Sequence, residues 1–148
     1  MRFERIYLNN EDKRSYIDTY VQDGNVKRDA MLVIPGGGYC GVCSDREGEP
    51  IALEFFAKGY NAFVLNYRAG KAGDVYPSQL LDAAAAMIYI REHEEELCIN
   101  KDRVFAVGFS AGGHLCGSLA NRCGGRRDRR IFAFSCVALR HDARLAFQ

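Results

Sequence analysis

Gly108-Phe109-Ser110-Ala111-Gly112 is the stretch of this chain whose residue types and spacing suit covalent chemistry. A serine hydroxyl can act as a nucleophile when a sharp turn between a strand and a helix lifts its Oγ clear of the sheet, and G-x-S-x-G is the pattern that allows such a turn. The residues two before and two after the serine must be nearly bare, because the backbone crowds there. Gly108 and Gly112 meet that need. The β-run Arg103-Val104-Phe105-Ala106-Val107 precedes the pentapeptide, and the apolar helical run from Gly113 to Ala120 follows it.

Acyl transfer through a serine also needs backbone N–H groups aimed at one point, where the carbonyl oxygen becomes an oxyanion. A second glycine cluster, Pro35-Gly36-Gly37-Gly38-Tyr39, follows the apolar run Ala30-Met31-Leu32-Val33-Ile34. A glycine-rich loop after an early strand supplies one such N–H, here Gly37 or Gly38. The residue after the nucleophile, Ala111, supplies the other. Each motif is common alone; together, in this order and on these elements, they point to a serine hydrolase.

These stretches resemble the α/β-hydrolase superfamily, and within it the acetyl-esterase and xylan-esterase-like branch. The likeness rests on Ile34-Pro35-Gly36-Gly37-Gly38-Tyr39, Glu47-Gly48-Glu49-Pro50-Ile51-Ala52, Gly59 to Arg68, Tyr76-Pro77 and Val107 to Leu115. The resemblance implies a carboxylesterase acting on short acyl esters such as acetates, with sugars as the alcohol. It implies Ser110 as nucleophile and Gly37, Gly38 and Ala111 as the oxyanion hole, with no cofactor and no metal. A peptidase or thioesterase of the same fold is the alternative within hydrolases. A non-catalytic fragment or interaction module is the alternative outside them.

Competing motifs are weaker. Gly36-Gly37-Gly38-Tyr39-Cys40-Gly41 satisfies G-x-G-x-x-G, but a dinucleotide site needs its helix to start at once. Gly48 and Pro50 intervene here, so the helix is expected about ten residues late. Cys40-Gly41-Val42-Cys43 has no second pair at zinc spacing, and the six cysteines are expected as free thiols. His114, four residues past Ser110, is expected in the packing layer, because the elbow aims Oγ away from that helix face. His93 is expected at a wet helix end. His141-Asp142 are sequence neighbours, which rarely places a base and its acid correctly. Asp82, Tyr67 and Arg68 are expected to be structural.

The surrounding elements read as strands over 2–8, 15–21, 30–34, 62–65 and 104–107. Helices are expected over 50–58, closed by Gly59, and from Ser78 as a cap, with Leu80, Leu81, Ala84, Met87 and Ile88 inward. Short strands without polar alternation, separated by helices, predict a doubly wound, mostly parallel sheet with antiparallel early strands. The acid and base of the triad follow the serine in chain order in this fold, on later strands. The expected fold is therefore an α/β-hydrolase lacking its C-terminal strands, impaired in catalysis, with an uncovered sheet edge through which the chain can self-associate.

A 48% hydrophobic content with 26% charged residues is ordinary for a globular domain. A net charge of +1 argues against a nucleic-acid binder. No apolar run approaches a membrane span, so a cytoplasmic protein with a small-molecule ester as partner is the expectation. The charge is unevenly spread. Residues 1–121 carry 13 Lys and Arg against 17 Asp and Glu, while residues 122–148 carry 7 Arg, no Lys and 2 Asp. Two domains of sequence are thus expected: 1–121 as the N-terminal part of the hydrolase, and 122–148 as an atypical basic tail. The tail reads either as a basic loop followed by a strand over 131–139, or as the product of a shifted reading frame. Its all-arginine usage favours the second.

Overall fold

Two runs with scarcely a polar residue dominate the core. They form adjacent parallel strands, buried on both faces as such runs require. The computed structural model describes residues 1–123 and the strand Ala133–Cys136. Its elements in chain order are β1 (Arg2–Tyr7), β2 (Tyr16–Val21), β3 (Arg28–Ile34), α1 (Ser44–Glu47), α2 (Glu49–Ala57), β4 (Asn61–Asn66), α3 (Ser78–Glu92), β5 (Ile99–Phe109), α4 (Ala111–Cys123) and β6 (Ala133–Cys136). The strand order in the sheet is β1-β2-β4-β3-β5-β6. β1 and β2 are antiparallel to their neighbours up to β4, and the remaining pairs are parallel. This is the α/β-hydrolase fold. The rest of the basic tail, including His141 and Asp142, lies outside the described residues, as does the choice between a native tail and a shifted frame.

Helices cover both faces of the sheet. Leu32, Ile34, Phe63 and Leu65 share one core with α3 and α4, through Ala83, Ala86, Ile90, Leu115 and Leu119. Met31, Val33, Ala62 and Val64 share the other with α2, through Ala52, Ile51, Phe55 and Phe56. The chain leaves β3 toward β4 on one side, and α3 then carries it across to β5 on the other. That reversal puts the carboxyl ends of β3 and β5 side by side, where open α/β sheets form their ligand crevice.

Several local expectations need correction. Ser78 is the first residue inside α3 and makes no capping bond; Pro77 occupies the N-cap. Leu81 and Ile88 are exposed at 58% and 55%, because the buried stripe runs through Leu80, Ala83, Ala86, Met87 and Ile90. Leu53 of α2 is likewise exposed. The first helix after the glycine loop is α1, at Ser44, earlier than expected. Gly59 does follow α2 in the left-handed region (φ 95°), as a residue ending a helix there should.

Candidate active site

Ile34 is the partner of Gly108 across β3 and β5, so the residues that follow each strand emerge together. Pro35 and Gly36 begin the glycine loop, while Phe109 and Ser110 lead into α4. The contact is tight. A side chain on Gly36 would stand 2.7 Å from the Phe109 carbonyl oxygen and 3.0 Å from Ser110 Cβ. One on Gly112 would collide with the carbonyls of Ile34 and Pro35, and one on Gly108 with that of Gly112. Only glycine fits these positions, and through them two distant segments share one point.

Ser110 is exposed, with φ at 50°. A serine in the left-handed region is uncommon and costs roughly 1–2 kcal/mol, so the surrounding packing must impose it. Its carbonyl accepts the His114 N–H at 3.1 Å, so the helix has already begun at the serine. Ala111 is the first residue of α4, and its N–H is one of the donors left unpaired at every helix start, where the helix dipole also favours negative charge.

Two of the loop's N–H groups are taken up by its own carbonyls. Cys40 N–H donates to the Gly37 carbonyl (3.0 Å), and Cys43 N–H to that of Gly36 (2.9 Å). Gly36 N–H donates to Glu47 Oε2 of α1 at 2.8 Å. Among the described residues, the N–H groups of Gly37 and Gly38 donate to no acceptor. Both residues have positive φ, at 133° and 61°. The structure thus brings Gly37 and Gly38, Ser110 and Ala111 to one end of the sheet. Glu47 lies in one of the stretches that carry the family likeness, but its anchoring contact is set by the fold, which places it against the loop.

His114 is not in the packing layer. It is exposed on α4, and its Nδ1 lies 2.7 Å from the Tyr39 hydroxyl, which in turn lies 3.1 Å from the Ala111 carbonyl. The elbow turns the first helical turn toward the glycine loop, so a position four residues on still meets that loop. His93 Nδ1 lies 2.9 Å from the Tyr89 carbonyl at the far end of α3. Tyr67 and Arg68 are structural. Tyr67 donates to the Pro35 carbonyl at 2.9 Å, and Arg68 forks onto buried Asp82 at 2.8 and 3.1 Å.

A cavity of about 310 Å³ opens beside this end of the sheet, lined by Tyr39, Val75, Tyr76, Gln79, His114 and Leu115 among others. Asp74, also on its wall, is held by Arg14 at 2.6 Å and accepts the Lys71 N–H at 2.9 Å. Cys40, Cys43, Cys98 and Cys116 are free thiols, and burial pushes the Cys116 thiol up to about 12. Among the described residues, no three His, Cys, Asp or Glu side chains gather as a metal site, and no helix is long and apolar enough to cross a membrane.

Proteins similar to this chain include several hydrolases. The family profile described as BD-FAE matches residues 17–131. The crystal structure of MGS-M1, an α/β-hydrolase enzyme from a Medee basin deep-sea metagenome library, superposes with a TM-score of 0.75 at 46% identity, over 81% of this chain and 51% of that one. The acetyl ester-xyloside bifunctional hydrolase from Caldicellulosiruptor lactoaceticus gives a TM-score of 0.70 at 34% identity, over 77% and 45%. Endo-1,4-beta-xylanase B of Butyrivibrio fibrisolvens is 47% identical over 103 residues, 68% of this chain and 16% of that protein. The chain spans about half the length of the two solved structures.

Proposed function

The chain belongs to the BD-FAE family of α/β-hydrolases, and from that premise we propose that Ser110 is the nucleophile of a carboxylesterase acting on short acyl esters. The observation that carries the reading is the close approach of Gly36 to Ser110 Cβ, which sets the glycine loop against an exposed serine. Ser110 Oγ attacks the ester carbonyl carbon and loses its proton to a base. The carbonyl π electrons move onto oxygen, and the N–H groups of Gly37, Gly38 and Ala111 stabilise the resulting oxyanion. Collapse of this intermediate breaks the bond to the alcohol, which leaves with a proton. Water then cleaves the acyl-enzyme.

Among the described residues no histidine is bonded to Ser110: the one ring is engaged with Tyr39 and the other with Tyr89. Turnover that relies on these residues alone is therefore slow. A site that keeps its oxyanion donors but lacks triad members retains on the order of 10³–10⁴-fold over water. The acetyl ester named for the Caldicellulosiruptor relative supports short acyl groups. No extended apolar stretch in residues 36–50 or 69–77 offers a surface for a long chain.

The test is a series of p-nitrophenyl esters of increasing acyl length, with Ser110→Ala as control. Acetate is expected to react fastest, with all activity lost in Ser110→Ala. A preference for long acyl chains would sink the short-acyl reading.

A further inference from the structure

Tyr39 joins the glycine loop to α4 through its side chain, from a left-handed backbone (φ 61°) that residues with a Cβ disfavour. Its hydroxyl has one proton and two neighbours, the Ala111 carbonyl oxygen at 3.1 Å and His114 Nδ1 at 2.7 Å. A carbonyl can only accept. If the Tyr39 proton went to His114, two oxygen lone pairs would face each other at 3.1 Å with nothing between them. If it goes to the Ala111 carbonyl, His114 must supply the other proton from Nδ1. Only the second arrangement satisfies all three atoms. Burial raises the Tyr39 hydroxyl above its usual pKa, which keeps it a donor.

We propose that Tyr39 and His114 are a positioning pair: His114 Nδ1–H donates to the Tyr39 oxygen, Tyr39 O–H donates to the Ala111 carbonyl, and the two bonds fix the Gly37–Gly38 loop to the start of α4. The inference rests on the reading of Gly37, Gly38 and Ala111 as the oxyanion hole. Ala111 then serves twice, its N–H toward the oxyanion and its carbonyl toward the brace. The loop has independent anchors on its other side. Gly70 N–H donates to the Tyr39 carbonyl at 3.2 Å, and Tyr67 holds Pro35. Without the Tyr39 hydroxyl, no hydrogen bond in this set ties the loop to α4, and the packing at Gly36 and Gly112 alone holds the donor spacing on which oxyanion stabilisation depends.

The test reads the proton directly. In nitrogen-15 NMR of the full chain, at a pH where the ring is neutral, His114 is expected to be protonated on Nδ1, rather than in the Nε2–H form that a free imidazole prefers. Tyr39→Phe should return His114 to Nε2–H and slow covalent labelling of Ser110 by a fluorophosphonate about tenfold, the size of one well-placed hydrogen bond. His114→Asn, whose amide can still donate to Tyr39, should label within about twofold of the native chain, and His114→Leu should not. A native His114 protonated on Nε2 would overturn the proposal. So would a Tyr39→Phe variant in which either the tautomer or the labelling rate stays unchanged. Failure of the native chain to label at Ser110 would count instead against the active-site reading, with the native tautomer still deciding for or against the hydrogen-bonded pair.

Discussion

Gly112 and Gly38 are both glycines of the site, but they are glycines for different reasons. A methyl at Gly112 would overlap the carbonyls of Ile34 and Pro35, which are fixed in β3 and the start of the loop. A methyl at Gly38 meets nothing within 4 Å, and the only penalty is its φ of 61°. Gly112→Ala is therefore expected to destabilise by about 3 kcal/mol, at the upper end of overpacking costs. Gly38→Ala should cost about 1 kcal/mol. Urea denaturation midpoints separate the two, and equal losses would show that the elbow is looser than its geometry implies. At this scale the sequence is informative about backbone and poor about side-chain partners. Glycine spacing marks where the chain must turn sharply, since only bare residues tolerate it. Nothing in the spacing of Tyr39 and His114, or of Gly36 and Glu47, shows that they meet. Those contacts exist only once β3 and β5 are adjacent.

The segment between β4 and α3 lines the cavity, and an acidic pair on one arginine braces it. Asp74 is hydrogen-bonded by Arg14, which also binds Asp12, and that bond holds the Asp74 carboxyl below the usual carboxylate range. A depressed folded-state pKa stabilises the fold at pH values above the unfolded pKa, and the contribution is lost as pH falls through the folded value. The stability gap between native chain and Asp74→Asn should thus be full at neutral pH, shrink below the ordinary carboxylate range, and vanish in stronger acid. Denaturation midpoints at a series of pH values measure it. A gap constant down to strong acid would remove the carboxylate as its source. The strands were the most legible elements, because β3 and β4 are continuous apolar runs. The inner face of α3 was not. Its buried stripe sets the small Ala83 and Ala86 beside Leu80, Met87 and Ile90, while the large apolar Leu81 and Ile88 face outward. β5 extends beyond the expected 104–107, because its first part, Asn100 to Arg103, is exposed and polar yet belongs to the same strand.

Taken whole, the sheet has two edges of different character. β1 presents exposed Arg2, Glu4 and Arg5, charges that discourage pairing with another chain. β6 pairs with β5 along Ala106–Phe109 and, among the described residues, has no strand on its other side. Backbone N–H and C=O groups on an unpaired strand edge are a template for a second copy, and we propose self-association through β6. Sedimentation at increasing protein concentration should show self-association, and a monomer at every concentration would contradict it. The central claim, that a strained serine and a glycine loop from two distant segments form one acyl-transfer site, has a more direct test. Intact-mass analysis of the folded chain after fluorophosphonate treatment, followed by peptide mapping, should find a single adduct on Ser110 and none in Ser110→Ala. An adduct that persists in Ser110→Ala, or maps elsewhere in the native chain, would contradict the account.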